Sequence, residues 1–177
     1  MLFSRFLLQL ETNLFGAMRM VRSVLPVMRK QGSGQIINIG SLAGQIGVPF
    51  QGYYSTSKFA LEGYTETLRH EVRNLGIKVS IVEPGFFKTN IGQAAKSVSS
   101  KIEVYDLARK KSARRIQIDE SRGQDPKLVA KLILEIINSK SPRIRYAIGN
   151  EKRALLYKRI LPASLFESGL RRRFSLD

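Results

Sequence analysis

The chain has 177 residues, of which 43% are apolar and 25% are charged, the composition of one folded domain rather than of a fibrous or disordered chain. Its 30 Lys and Arg residues against 14 Asp and Glu residues give a net charge of +16, so an anionic partner has to be considered. The chain has no cysteine and one histidine, His70, which excludes disulfides, thiol nucleophiles and the usual zinc sites. We therefore expect no metal, and we expect a cytoplasmic protein.

Helices and strands alternate in the first half of the chain. Apolar residues recur every three or four positions over residues 2–30, which predicts an amphipathic helix. Residues 35–39 are short, apolar and β-branched, as in a buried parallel strand. A second helix is predicted over residues 54–75, ended by Gly76, and a second strand over residues 78–82. Short connections between such elements predict a parallel sheet with helices on both faces, an α/β fold.

The second half begins with a long polar stretch. Residues 86–122 are basic and lack a clear period, so we expect an excursion on the substrate side of the sheet that contains a short helix. Order resumes at Asp125, which can cap a helix that has Pro126 at its first position. A last strand is predicted over residues 145–148. Residues 150–177 are expected to form a helical extension with helices over residues 152–161 and 165–174.

Tyr54 and Lys58 form the first candidate for chemistry. They stand four residues apart at the start of a predicted helix, so their side chains share one face. An ammonium about 4 Å from a phenolate attracts it by about 4 kcal/mol at an effective dielectric constant of about 20. This attraction would lower the pKa of the phenol toward the physiological range, where a general acid or base works best.

Two further segments are expected at the same edge of the sheet. Ser41 follows the strand over residues 35–39, and Pro84-Gly85 follows the strand over residues 78–82. Open α/β sheets bind their ligands in a crevice at the carboxyl ends of the strands. The loop after Ser41 would also bring Tyr54 to this end. A hydroxyl at Ser41 could then orient a substrate oxygen beside the phenol.

These residues together resemble the short-chain dehydrogenase/reductase family. Several motifs match those of the family together, both in their order and in their separations, over essentially the whole chain. A softer similarity to the hydroxysteroid and retinol dehydrogenase-like branch comes from residues 48–50 and 57–63. The matching residues are Asn13, the run from Ile36 to Ser41, the run from Tyr54 to Lys58, Pro84-Gly85 and Thr89.

The resemblance implies a role for each catalytic residue. Tyr54 would be the general acid and base, and Lys58 would hold the ribose hydroxyls of the nicotinamide and depress the pKa of Tyr54. Ser41 would hydrogen-bond the reacting oxygen, and Asn13 would position a water for proton relay. The implied reaction interconverts an alcohol and a ketone or aldehyde, with an apolar small molecule as the substrate.

The resemblance also implies a cofactor and an assembly. The cofactor would be NAD or NADP, bound by Tyr54 and Lys58, with Pro84 and Gly85 bordering the nicotinamide. Thr89 would contact its carboxamide or its diphosphate. The two long helices correspond to those through which family members form dimers, so the complete protein is expected to be a homo-oligomer.

The chain resembles only the second half of that fold. The glycine-rich first strand and helix of the family, which approach the dinucleotide phosphates, have no counterpart here. We therefore expect the carboxyl-terminal part of a Rossmann-like doubly wound sheet, a three-layer α/β/α arrangement without its amino-terminal βα units. We expect this chain to be a fragment or a truncated gene model that folds poorly and is inactive alone, because residues 35–39 would lie at an unpaired sheet edge.

The charge distribution supports a second hypothesis. Residues 1–92 hold 10 basic and 5 acidic side chains, whereas residues 93–177 hold 20 and 9. The alternative to an enzyme is therefore a non-catalytic basic module that binds an anionic membrane or nucleic acid. No base-stacking motif accompanies the basic residues, so we expect no nucleic-acid partner and at most weak association with a membrane surface. The clusters that carry this charge are Lys110-Lys111, Arg114-Arg115 and residues 171–173.

Overall fold

A three-stranded parallel sheet organises the protein. The computed structural model describes residues 2–89 and 102–177. Within them, strands β1 (Gly34–Ile39), β2 (Ile77–Pro84) and β3 (Arg145–Ile148) lie side by side in the order β1-β2-β3. Both pairs are parallel, with Gly34 opposite Ile77 and Ile81 opposite Arg145. The predicted α/β class and the three predicted strands are confirmed.

The first long helix is interrupted. Instead of one helix over residues 2–30, the structure has α1 (Leu2–Leu10), a π-helical turn (Glu11–Phe15) and α2 (Gly16–Gln31). In the π turn the Gly16 N–H donates to the carbonyl of Glu11, five residues back. The extra residue in this turn shifts the side-chain period, which a pattern of apolar spacings does not register.

Helix α3 (Gly52–Val72) is the central helix of the fold. It continues into a 3-10 turn (Arg73–Leu75) and ends at Gly76, whose φ of +71° is left-handed, as predicted. A side chain at Gly76 would also collide with the carbonyl of Gly32, which ends α2 with a φ of +64°. Two glycine-ended helices thus meet, and each turns the chain directly into a strand.

Helices cover both faces of the sheet. On one face, α2 and α3 pack over the strands and enclose the main apolar core. On the other face lies α5 (Lys127–Ile137), since Gln35, which points away from the core residue Ile36, donates to the carbonyl of Ile136 at 2.9 Å. This arrangement confirms the three-layer prediction. The core residues are Val21, Ile36, Leu68, Val72, Ile77 and Val79.

The expected short helix in the excursion is in fact long. Helix α4 (Asp106–Ser121) has 16 residues, which corrects the prediction for this part of residues 86–122. Its sequence carries no apolar stripe, and pairs such as Arg115 with Asp119 one turn apart support it instead. Residues 90–101 of the same excursion lie outside the described residues.

The chain ends in helices, as expected. The Lys127 N–H donates to Asp125 at 2.8 Å, which confirms the predicted cap of α5. Residues 150–177 contain α6 (Arg153–Ile160) and α7 (Ala163–Arg173). Buried Asp119 on α4 accepts a hydrogen bond from Arg173 at 2.8 Å, so α7 is tied to α4. No helix within residues 2–89 and 102–177 has the length and apolar character needed to cross a bilayer.

Candidate active site

Ser41 lies at the carboxyl end of β1. The Gly40 N–H donates to the Val82 carbonyl at 2.7 Å and extends the ladder by one residue, so the next side chain is held at the sheet edge. The Ser41 hydroxyl accepts from the Ala43 N–H at 3.1 Å, and its oxygen is 3.4 Å from the Pro84 carbonyl. The hydroxyl is therefore positioned by two strand ends, as the sequence predicted for a group at this crevice.

Tyr54 reaches Ser41 from the first turn of α3. The loop before this turn is held by the hydroxyl of Ser55, which accepts from the Val48 N–H at 3.3 Å. The Ser41 hydroxyl lies close enough to the Tyr54 phenol to lower its pKa. The predicted meeting of a phenol and a hydroxyl from two separate elements is thus present in the structure.

The pKa of Tyr54 moves in the opposite direction to the prediction. Burial raises the pKa of Tyr54, the nearby Ser41 hydroxyl lowers it, and the negative charge of Glu120 raises it further. The prediction that the pKa of Tyr54 falls toward the physiological range is therefore wrong for the described residues, because desolvation of the phenolate dominates.

Lys58 stands one turn after Tyr54, but its ammonium is directed to the strand. Its Nζ donates to the Ile39 carbonyl at 2.9 Å and is 5.8 Å from the centroid of the Tyr54 ring. Burial lowers the pKa of Lys58, and the nearby Glu62 carboxyl raises it. The ammonium is thus anchored at the end of β1, beside the phenol rather than on its oxygen.

Asn13 lies in the π turn and contacts α3. Its Nδ2 donates to the hydroxyl of Ser57 at 3.0 Å, and that hydroxyl donates to the carbonyl of Tyr54 at 2.7 Å. Asn13 therefore touches the turn that carries Tyr54, and its side chain is occupied by a structural contact. The partner residue is 44 positions away along the chain, so this contact joins the first helical segment to α3.

The Pro84-Gly85 turn closes the same edge of the sheet. The Gly85 N–H donates to the Ile148 carbonyl at 2.8 Å, and a side chain at Gly85 would collide with the carboxyl of Glu151. Glu151 in turn accepts from the Phe86 N–H at 3.3 Å. Thr89 lies farther along, exposed in a bend at the last described position before residue 102.

Helix α4 brings a group to the site that the sequence did not reveal. Its Ser112 hydroxyl donates to the Pro49 carbonyl at 2.9 Å, which holds α4 against the loop before α3, and Glu120 is close enough to act on Tyr54. No spacing in the sequence relates Glu120 to Tyr54, since the contact depends on how α4 folds back.

A comparison with protein families agrees with this geometry. The model of the family described as short chain dehydrogenase matches residues 4–99, more than half of the chain. The chain belongs to the short-chain dehydrogenase family. The match includes Asn13, Ser41, Tyr54, Lys58 and the Pro84-Gly85 turn.

Individual relatives extend the similarity beyond the matched residues. The 3-ketodihydrosphingosine reductase of Bacteroides thetaiotaomicron is 38% identical over 168 residues, which are 93% of this chain and 62% of that protein. Retinol dehydrogenase 8 of Bos taurus is 36% identical over 143 residues, which are 76% of this chain and 46% of that protein. The chain thus spans about half to three fifths of these relatives' length.

A solved structure shows the same fold. The crystal structure of a short-chain dehydrogenase/reductase from Burkholderia phymatum in complex with NAD matches with a TM-score of 0.71 and 27% identity. The match covers 90% of this chain and 58% of that chain. The architecture described above is therefore that of part of a short-chain dehydrogenase.

Proposed function

We propose that this chain carries the catalytic part of an NAD(P)-dependent oxidoreductase that interconverts an apolar alcohol and its ketone or aldehyde. The proposal depends on one observation above all, that the Ser41 hydroxyl and the Tyr54 phenol lie beside each other at one sheet edge, with Lys58 one helical turn away. Two hydroxyls that meet at one sheet edge can hold a single substrate oxygen between them. Family membership is the second support.

The residues at this edge fit the nicotinamide half of the cofactor. The Lys58 ammonium has three N–H donors, and its hydrogen bond to Ile39 uses one of them, which leaves donors for ribose hydroxyls. The Ile39 side chain beside it is 44% exposed, an apolar surface at the end of β1 on which a flat ring could rest. Pro84, Gly85 and Thr89 would border the ring. The relative from Burkholderia phymatum was crystallised with NAD, which agrees with this assignment.

Tyr54 supplies the proton in carbonyl reduction. When bound, the cofactor would supply the hydride that reduces the carbonyl carbon, and the Tyr54 hydroxyl would give its proton to the carbonyl oxygen. Ser41 donates a hydrogen bond to the same oxygen and stabilises the negative charge that develops on it. Burial raises the pKa of Tyr54, so its hydroxyl carries the proton that reduction of the carbonyl needs.

Lys58 and Asn13 assist the proton transfer from Tyr54. Lys58 holds the ribose and places positive charge beside the phenolate that remains after proton transfer. Asn13 positions the turn of Tyr54 through Ser57. The phenolate regains its proton from solvent, through a water held near Asn13.

The substrate is proposed to be an apolar alcohol or carbonyl compound. Two relatives that are 38% and 36% identical are named 3-ketodihydrosphingosine reductase and retinol dehydrogenase 8, which supports an alcohol or carbonyl substrate. The Glu120 charge lies near Tyr54 and is unfavourable for an anionic substrate.

Turnover of the full-length protein that carries this sequence tests the proposal. Long-chain ketones and retinal are offered with NADH and with NADPH, and oxidation of the reduced nicotinamide is followed by its absorbance. We expect turnover with at least one pair, with an apolar ketone preferred over a charged analogue of equal size. Binding of NAD(H) or NADP(H) without turnover of any carbonyl compound would contradict the proposal.

A further inference from the structure

An acidic cluster lies directly beneath the loop that carries Ser41, and the mechanism above makes no use of it. Glu62 on α3 is 6% exposed and Glu83 on β2 is 1% exposed. Arg145 on β3 joins them, with its Nε 3.1 Å from Glu62 Oε2 and 3.6 Å from Glu83 Oε1. Its other end pairs with the half-exposed Glu66 at 2.8 Å.

Three carboxyls converge on one guanidinium in this cluster, and the ammonium of Lys58, which also acts on Glu62, is held by the Ile39 carbonyl. Glu62 and Glu83 face one guanidinium, and Arg145 is shared with Glu66. Two adjacent carboxylates that are buried away from water repel each other strongly. The free energy is lower when one of them keeps its proton. Burial and the charge of Glu83 raise the pKa of Glu62 to about 7.

An unpartnered oxygen of Glu62 also indicates that one carboxyl keeps its proton. Glu62 Oε1 is buried and has no hydrogen-bond partner among the described residues. It lies against Gly40, where a side chain would come within 3.0 Å of it. As a carboxylate oxygen it lacks a donor, but as a protonated oxygen it becomes a donor itself, with the adjacent Glu83 as its acceptor.

The groups around Glu62 come from every element that packs on it. Lys58 and Glu66 lie on its own helix, Glu83 on β2 and Arg145 on β3. The loop after β1 contributes Gln45, whose side-chain amide donates to Glu83 Oε1 at 2.5 Å. Lys158 on α6 donates to the backbone carbonyl of Gln45 on the far side of that loop.

We propose that Glu62 and Glu83 share one proton, and that this pair positions the Ser41 loop against helix α3; the catalytic part of the inference depends on the function proposed above. The loop packs on α3 between Lys58 and Glu62, because a side chain at Gly44 would lie 3.0 Å from the Lys58 carbonyl and 3.2 Å from Glu62 Cγ. The pair thus joins the loop of Ser41 to the helix of Tyr54 and Lys58, so it acts as a positioning element rather than as a reactant.

The shared proton makes the loop sensitive to pH in a defined range. A carboxyl whose pKa is higher in the closed structure than in the opened one stabilises the closed structure fully at acid pH. That stabilisation is lost as the pH rises from the ordinary glutamate value of 4.5 to about 7, and it stays constant above. Within this range the population of the opened loop rises up to about tenfold per pH unit.

Infrared spectroscopy of the full-length protein tests whether the proton is shared. We expect a carboxylic-acid C=O band from a buried group at about pH 6 that is absent at about pH 9. The band should disappear in Glu62→Gln and remain in Glu71→Gln, an exposed glutamate on the same helix. Absence of the band in the wild type, or its persistence in Glu62→Gln, overturns the shared proton.

Hydrogen exchange tests the positioning role without any assay of activity. After correction for intrinsic rates, exchange of residues 40–47 should accelerate between about pH 5 and 7 in the wild type and in Glu71→Gln. In Glu62→Gln, whose neutral amide replaces the protonated carboxyl, this acceleration should be lost while protection is retained. Glu62→Ala should open the loop at every pH. Equal pH dependence in the wild type and Glu62→Gln overturns the positioning role.

The two proposals fail separately. Absence of carbonyl turnover in the wild type contradicts the proposed function and leaves the infrared and exchange results to decide on the carboxyl pair. A wild type that turns over normally, with neither a carboxylic-acid band nor pH-dependent exchange, refutes the pair alone.

Discussion

The two ends of helix α3 bury different kinds of side chain against the same sheet. The amino-terminal part, near the carboxyl ends of the strands, buries one apolar residue, Leu61, among the polar residues Ser55, Ser57, Glu62 and Thr65. The last turns bury Leu68 and Val72 in the apolar core with residues of β1, β2 and α2. One helix thus serves two regions, a polar end at the candidate site and an apolar end in the core.

The two ends of α3 separate the region that stabilises the fold from the region that holds the candidate site. Burial of apolar side chains at the core end stabilises the fold without directional requirements. The polar end needs a partner for each group, as when Asn38 donates to Thr65 at 2.8 Å, and this fixes the geometry of the site. We therefore expect changes at the polar end to affect turnover and changes at the core end to affect the free energy of unfolding.

The largest expected effect is at Tyr54. Tyr54→Phe in the full-length protein removes the proton donor and should lower kcat by roughly 10²–10⁴-fold, because this is the usual contribution of a general acid. Cofactor affinity should change little. The adjacent and exposed Tyr53 provides the matched control, and Tyr53→Phe should retain its turnover. Equal rates in the two variants would remove the polar end of α3 from the chemistry.

At the core end, Leu68→Ala should act on stability instead. Leu68 is 4% exposed and packs in the apolar core, so its truncation should lower the free energy of unfolding by about 2–5 kcal/mol. Denaturant unfolding measures this loss, and turnover per folded molecule should stay close to that of the wild type. A loss of turnover in the fully folded variant would contradict the assignment of stability to the core end and of turnover to the polar end.

Ser41→Ala comes next in size. The change removes the hydroxyl that meets Tyr54 and leaves the substrate oxygen with one donor fewer, so kcat should fall by roughly 10²-fold. The free energy of unfolding should change much less than in Leu68→Ala. Steady-state kinetics beside an unfolding curve separates the two, and unchanged kcat would mean that Ser41 only caps the turn to Ala43.

The smallest expected effect is the dependence of the reaction rates on pH that Tyr54 sets. Burial raises the pKa of Tyr54, so the phenol stays protonated across the neutral range. Carbonyl reduction needs this protonated form and should be nearly independent of pH there. Alcohol oxidation needs the phenolate and should rise by up to about tenfold per pH unit below the pKa. An oxidation rate that levels off near neutral pH would show that the complete site lowers this pKa after all.

Much of the fold could be predicted from sequence periodicity. The three strands and the helices around them follow from apolar spacings, and the ends of α2 and α3 follow from Gly32 and Gly76. The π turn at Asn13 and the length of α4 could not be found this way. The first inserts one residue without changing composition, and the second is supported by ion pairs such as Arg115 with Asp119 rather than by an apolar stripe.

The candidate site was predictable where it depends on local spacing. Tyr54 and Lys58 share a helix face, and Ser41 follows a strand, so their meeting could be inferred. The pKa of Tyr54 could not, since it depends on burial and on Glu120 from a distant helix. Glu83 could have been found from the sequence, because it is a charged residue within an apolar strand. Glu62 lies one helical turn after Lys58.

Transfer of deuterium tests the central claim most directly. Full-length protein is given an apolar ketone and a reduced nicotinamide cofactor labelled with deuterium at C4, and the alcohol product is examined by mass spectrometry. We predict deuterium on the carbinol carbon from one of the two faces of the nicotinamide, with Tyr54→Phe yielding almost none. Alcohol formed without the label, or the same labelled yield from Tyr54→Phe, would contradict hydride transfer assisted by Tyr54.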